Sequence, residues 1–248
     1  MQERGFMRPL VRNFNLQGQP GKQAKVGIYP KLATTALVSG ENVDATNNAI
    51  TATEKLFDCD EIAALVTLTD TARDSADDNT AASIGRILGE TMALKVDEDI
   101  AALFSGFTES IGAAATELTA DLIVMGPYVG VFHPKQTYNL KKQLANAGSA
   151  NVPSLSDVGN RALSEGFIGR IAGVDLYESA TVTGAAANEY SGVVMAADAI
   201  AYAVKKDISL ETQRDASLRA TEIVGSMTYA VGELQDGHGV EVVADAVI

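Results

Sequence analysis

The sequence predicts an α+β protein in which an extended N-terminal arm and a long β-hairpin lead into a body organised around one very long helix. Three observations predict it. Residues 24–70 hold strand-forming runs on either side of a polar tip. Residues 79–105 carry an apolar residue at every fourth position. The last forty residues read as strands again, so helix and strand are segregated rather than alternating.

The arm spans residues 1–23. Gly5, Pro9, Gly18, Pro20 and Gly21 punctuate it, and it shows neither helical nor strand periodicity. Phe6, Leu10, Phe14 and Leu16 are apolar anchors that need a surface to lie on. The hairpin follows. Lys25 to Pro30 and Leu32 to Val38 form the outgoing side, residues 39–48 the tip, and Ile50 to Thr69 the return. Strand residues around an Asn/Gly/Asp-rich tip make a hairpin. Two thin strands bury too little to stand alone, so this one also needs support.

The helix is the clearest element. Ile84, Leu88, Met92, Val96, Ile100 and Phe104 fall at i, i+4, with Ile87 and Leu103 beside them. Steps of four overshoot a 3.6-residue turn, so the stripe winds around the helix and meets more than one partner. Asp77, Asp78 and Asn79 are cap candidates, Gly106 is a stop, and Arg86 and Glu90 form an i, i+4 pair.

Beyond it, residues 110–118 suggest an Ala-rich helix and residues 121–127 a short buried strand. Pro134 opens an amphipathic helix marked by Tyr138, Leu140 and Leu144 and closed by Gly148. Residues 167–177 have the shape of two strands around a Gly turn, and residues 191–195 of another strand. Residues 196–204 look helical. Residues 208–214, 218–231 and 240–244 read as strands, the last two joined by Asp236-Gly237-His238-Gly239.

Composition limits the chemistry. The chain has 248 residues, 46% hydrophobic and 21% charged, which suits one good-sized folded domain or two small ones. One cysteine excludes an intrachain disulfide and a cysteine zinc site, and two histidines exclude a His-rich metal site. No run approaches the ~18–20 apolar residues of a membrane span, and residues 1–8 lack the apolar stretch of a secretory signal. A reducing cytoplasm is the expected site of synthesis.

The net charge of −13 is uneven. Residues 1–31 hold six basic residues against Glu3, and the remainder holds 13 basic against 31 acidic. An acidic body repels nucleic acid. The basic arm can touch phosphate or pair with acidic protein surface, and its scattered charges favour the second at least as well as the first.

No residue cluster reads as a catalytic site. No Gly-rich turn precedes Lys-Ser/Thr, so no phosphate loop is present. Asp58, Asp60 and Glu61 around Cys59 oppose thiolate formation, so Cys59 reads as structural. His133 before Pro134 reads as a turn or capping residue. Asp97, Glu98 and Asp99 point in different directions on a helix and read as a solvated face. Gly166-Phe167-Ile168-Gly169 lacks the basic surroundings of an RNA clamp. What remains is an arm, a ribbon and a long helix that cannot satisfy themselves. Such elements persist where assembly is the function.

Several stretches carry a resemblance. Residues 121–127 with Leu140-Lys141-Lys142-Gln143-Leu144 form a strand–Pro–helix unit; residues 169–179 form a Gly, apolar strand, Ser segment; and residues 199–204, 212–215, 227–232 and 240–243 close the chain. In this order they resemble the major capsid protein of tailed bacteriophages, over essentially the whole chain. The resemblance implies an N-terminal arm at 1–23, an E-loop at 24–71, a spine helix of the peripheral (P) domain at 72–106, an axial (A) domain at 107–207 and closing P-domain strands at 208–248.

It further implies a non-enzymatic subunit that assembles with many copies of itself into hexamers and pentamers, the icosahedral head around a double-stranded DNA genome. The other expected partners are a scaffolding protein, a portal and possibly a decoration protein; no membrane, metal or cofactor is expected. The location would be the virion capsid, assembled in the bacterial cytoplasm. Phe6, Arg8, Arg12 and Phe14 in the arm and Ile28, Tyr29, Leu37 and Val38 in the E-loop are the expected contacts between chains.

The chain is short for this family, and no N-terminal scaffolding extension is visible, so a separate scaffold or prior trimming is implied. Residues 39–48 contain no lysine, so no Lys–Asn cross-link is expected through the tip. Encapsulins, which are bacterial cargo shells, share the fold and remain an alternative. A cytoplasmic α/β hydrolase or transferase working with carboxylates is the enzyme alternative, and it would need an enclosed polar pocket.

Overall fold

A computed structural model describes residues 5–29, 50–75, 80–111, 127–147, 170–171, 173–186 and 189–245. In chain order the first strands are β1 (Arg12–Asn15), β2 (Gln23–Ile28), β3 (Thr53–Asp58) and β4 (Asp60–Thr69). Helices α1 (Asp70–Ser75) and α2 (Thr80–Ala102) follow, then β5 (Ser110–Ile111), β6 (Tyr128–Phe132) and helix α3 (Pro134–Ala147). The remaining strands are β7 (Arg170–Ile171), β8 (Val174–Glu178), β9 (Gly184–Ala186), β10 (Glu189–Ala196), β11 (Ile200–Asp215), β12 (Ala220–Glu233) and β13 (Gly239–Asp245).

The strands form three sheets. One has the order β1-β11-β12-β4; a second runs β5-β13-β10-β6-β8-β7 with β9 also on β10; the third is the ribbon β2-β3. The long helix α2 lies across the first sheet and touches β4, β11 and β12. Its stripe behaves as the spacing predicts. Leu88, Met92, Val96, Ile100 and Phe104 are buried, Ile84 is half-buried, and Arg86 pairs with Glu90 at 3.6 Å. The helix ends at Ala102, and Phe104–Gly106 continues as one 3₁₀ turn.

On β4 the alternation is regular. Ile62, Ala64, Val66 and Leu68 are buried or half-buried, while Glu61, Ala63, Leu65, Thr67 and Thr69 are exposed. This is the pattern of a strand with one face on a core and one in solvent.

Several expectations need correction. Residues 199–204 are not helical. β11 begins at Ile200 and runs sixteen residues. Its first half sits between β1 and β12 and is buried on both faces, so it reads as a continuous apolar run without alternation. Alanine favours a helix, but the two flanking strands override that preference. The return of the hairpin is not one ribbon strand. β3 pairs with β2, Gln23 opposite Asp58, but after Cys59 the chain enters the first sheet as β4, pairing with β12 from Asp60–Tyr229 to Thr69–Ala220.

The arm is not featureless either. It makes a 3₁₀ turn at Arg8–Leu10 and the strand β1, which pairs parallel with residues 201–204. Ser110–Ile111 is a strand, not the start of a helix, and β6 was not foreseen. The rest of the 110–118 segment, residues 121–126, the tip at 39–48 and Gly166–Gly169 lie outside the described residues. Helix α3, the Gly-turned pair β7–β8, β10, β12 and β13 are as expected, and Asp236–His238 joins the last two. Residues 208–248 are divided between sheets, since β13 pairs with β10 and β5 in the second.

Two apolar clusters share the first half of β11. Ile200, Tyr202 and Val204 join Met92, Val96, Ile100, Phe104, Met195 and Met227 on one side. Ala201 and Ala203 join Ala24, Phe57, Cys59, Ala230 and Leu234 on the other. Ile100 is fully buried, whereas Ile87 on the same helix is 48% exposed. Ile100→Ala should therefore cost about 2–5 kcal/mol in urea unfolding, and Ile87→Ala less than ~0.5 kcal/mol. Equal losses would show that α2 is not seated through its i, i+4 stripe.

Candidate assembly surfaces

The arm is bound to its own body by backbone groups. Asp97 on α2 is 2% exposed, and its carboxylate accepts the Phe6 N–H at 2.8 Å and the Met7 N–H at 3.1 Å. Gly5 crosses α2 so closely that a Cβ there would lie 2.7 Å from the Ala93 carbonyl oxygen, which only glycine permits. Met7 and Val11 then enter the larger core cluster. Phe6 stacks on Tyr177 with ring centroids 5.8 Å apart, tying the arm to β8.

The arm's cations are used locally. Arg12 pairs with Asp198 at 2.9 Å and Arg8 with Asp207 at 3.4 Å. Arg8 also lies over the Tyr202 ring and Arg12 over Phe14. Phe14 is half-buried against the smaller core cluster. So the basic arm answers acids of its own chain, and about half of each arginine side chain (45% and 49%) stays exposed. The expected solvated face at 97–99 divides in three. Asp97 is buried under the arm. Asp99 accepts the Tyr229 hydroxyl at 2.5 Å and Lys95 at 2.6 Å. Glu98 alone is exposed.

The ribbon is anchored at its root. Ala24 and Phe57 pack on Ala201, Ala203 and Ala230. Phe57 lies flat on Gly232, where a Cβ would come within 2.4 Å of the ring. Lys55 reaches Glu233 at 3.0 Å, and Lys205 donates to the Gly21 carbonyl. Away from the root the support ends. Ile28 is half-buried, Tyr29 is 74% exposed, and Ile50 and Leu56 are more than half exposed. Of the expected contact residues, the structure thus places Phe6, Arg8, Arg12 and Phe14 along one seam and Ile28 and Tyr29 near the ribbon's free end. Leu37 and Val38 lie outside the described residues.

The other tip is the β11–β12 turn. Asp215 accepts the Ser217 and Leu218 N–H groups at 2.8 and 3.2 Å, and these bonds with the Ser217 hydroxyl hold its carboxyl below the usual range. Arg219 has φ 49°. Arg214 grips Asp70 through both carboxylate oxygens at 2.6 Å, which lowers the Asp70 pKa. This fixes the turn with Leu218 held out in solvent.

The titratable groups act as structure. Burial raises the Cys59 thiol, with Asp58 and Asp60 adding to it and Lys205 opposing, and the residue is buried as a structural cysteine should be. His133 accepts the Lys135 N–H on Nδ1 at 3.2 Å and the Gln136 N–H on its carbonyl, so it caps α3 as foreseen. Among the described residues no three His, Cys, Asp or Glu side chains converge as a metal set, and no helix is long and apolar enough to cross a membrane. The sequence pointed to neither Asp97 nor Asp99. Their partners are a backbone 90 residues away and a tyrosine 130 residues away, and no local pattern reports either.

Against known proteins, no family model and no curated protein matches the sequence. Solved structures do. The capsid structure of cyanophage P-SCSP1u superposes with a TM-score of 0.72 at 18% identity, covering 98% of this chain and 88% of that one. A structure of Mycobacterium phage Che8 gives 0.73 at 16%, covering 96% and 91%. The capsid of Ralstonia phage GP4 gives 0.70 at 11%, covering 99% and 92%. The chain has the fold of the tailed-phage major capsid proteins.

Two outcomes test these contacts. Asp97→Asn keeps one acceptor for two N–H donors, so amide exchange at Phe6 and Met7 should quicken by tenfold or more, an effect of ~1.5–3 kcal/mol for bonds to a charged group. Unchanged protection would remove Asp97 as the arm's clasp. Burial, and then the bond to Asp99, raise the Tyr229 pKa, and burial raises that of Tyr202. A raised folded pKa means that stability is complete below the unfolded value, near 10, and falls as pH rises beyond it. The alkaline loss should be shallower in Tyr229→Phe, read from urea midpoints between about pH 9 and 11.

Proposed function

We infer that this protein is the major subunit of a bacteriophage head. Many copies assemble into hexamers and pentamers that close around double-stranded DNA. The observation that carries the reading is the likeness of fold to phage capsid structures over 96–99% of the chain. The exposed surface supports it. A ribbon with a buried root and an apolar free end is unstable as a monomer feature and useful as a contact between copies.

In this reading residues 1–23 are the arm, 24–71 the E-loop, 72–106 the spine helix, 107–207 the A domain and 208–248 the closing strands. A-domain contacts gather around the local axes, and the E-loop crosses a neighbour's spine helix and P domain. Ile28, Tyr29, Leu37 and Val38 meet the neighbour directly. Phe6 and Phe14 contribute by fixing the arm, and the exposed halves of Arg8 and Arg12 meet acidic groups of an adjacent subunit. Modest interfaces suffice, because closure repeats each one many times. The role is structural, not enzymatic. The acidic body repels packaged DNA rather than holding it. Scaffolding, portal and decoration proteins are the further partners, and the virion, assembled in the bacterial cytoplasm, is the location.

Light scattering and electron microscopy of the recombinant full-length protein should show closed particles of megadalton mass, with or without an added scaffold. A stable monomer under all such conditions would overturn the reading. Particles purified from cells with a protein cargo and no nucleic acid would replace the head with a cargo shell.

A further inference from the structure

Two strand edges in this chain are open among the described residues, and they are complementary. The first is the outer edge of β4, the ten-residue border of the first sheet. Beside it, between β4 and α2, lies a groove of about 410 Å³ lined by Ile62, Ala64, Thr91, Met92, Leu94, Lys95 and Glu98. The end of this groove is acidic. Arg86 and Lys95 are taken up by Glu90 and Asp99, while Asp60, Glu61 and Glu98 form no salt bridge among the described residues. The second open edge is that of β2 in the ribbon. Lys25 stands exposed on it, with Tyr29 one residue beyond its end. The other ribbon edge, β3, carries Glu54 and Asp58, and its lysine is held by Glu233. An acidic groove therefore selects β2.

We propose that β2 of one copy adds as a strand to the β4 edge of the next, with Tyr29 in the groove and Lys25 on its acidic end. The inference rests on the shell reading and specifies the partner surface of its ribbon. Alternation fixes the register. Lys25 and Tyr29 share a face and stand about 13 Å apart along the strand. Asp60 and Ala64 share the α2-facing side of β4 at the same separation, and Asp60 borders a hollow with Asp99 and Tyr229. Lys25 opposite Asp60 and Tyr29 opposite Ala64 makes the added strand parallel to β4. Backbone bonds supply the affinity of such an addition, and the alternate side chains supply its specificity. The contact uses different surfaces on the two copies, so it propagates from subunit to subunit instead of stopping at a dimer.

The test is cross-linking of assembled full-length protein carrying Tyr29→Cys and Ala64→Cys. On oxidation most of the chain should shift from the monomer band to a ladder of multimers on a non-reducing gel, and neither single variant should do so. A second arm avoids replacing Tyr29. Lys25→Asp should abolish assembly by light scattering, and adding Asp60→Lys should restore it. Megadalton particles with no ladder and no rescue overturn the strand contact and leave the shell reading intact. A cross-link confined to the monomer band overturns it too, by placing both sites in one copy. A ladder in a species that never exceeds a small oligomer upholds the contact and removes the shell.

Discussion

Five residues, Ile200 to Val204, hold the molecule together. They form the first half of a central strand, with the arm on one edge and β12 on the other. Alternate side chains serve different cores. Ile200, Tyr202 and Val204 close the body under the long helix, and Ala201 and Ala203 make the floor on which the ribbon root sits. The alanines matter as much as the larger residues, because the Phe57 ring and Ala24 need that shallow surface. A larger side chain at 201 or 203 would lift the ribbon off the sheet, since packed interiors absorb added volume poorly. Arm, ribbon and helix are thus positioned by one short segment.

The charge distribution takes a different meaning once the arm is seen in place. A basic N-terminus ahead of an acidic body suggests an outward-reaching tether. Instead Arg8 and Arg12 meet Asp207 and Asp198 at the two ends of the Ile200–Val204 segment. These are half-exposed pairs, individually worth ~0–1 kcal/mol. The clasp at Asp97, beneath the arm and out of solvent, weighs more than either. What reaches outward is the ribbon, whose far end has nothing of its own chain among the described residues to rest on.

The sequence was legible where a pattern is local. The Ile84–Phe104 stripe, the Pro134 helix start, the Gly-turned strand pair and the final hairpin follow from spacing and turn chemistry within a few residues. The order of those elements then sufficed to name the fold. It was illegible where partners are distant. Ala199 to Val204 has the composition of a helix and becomes a strand because β1 and β12 enclose it. Asp97 sits among acids on a helix and looks solvated, and only the arm's return reveals it as buried. The expected contact residues were sorted by the same rule. Tyr29 is exposed as foreseen, whereas Phe6, Arg8, Arg12 and Phe14 are engaged within the chain.

The parallel pairing of β1 with β11 bears on how the chain is made. The arm emerges from the ribosome first, yet the Arg12–Asp198 contact spans 186 residues. At ~5–20 residues per second, the strand waits ~10–40 s for its mate. The floor under the ribbon arrives equally late. A nascent copy therefore cannot present its ribbon in the finished pose, and premature joining of half-made subunits is avoided by the order of translation itself.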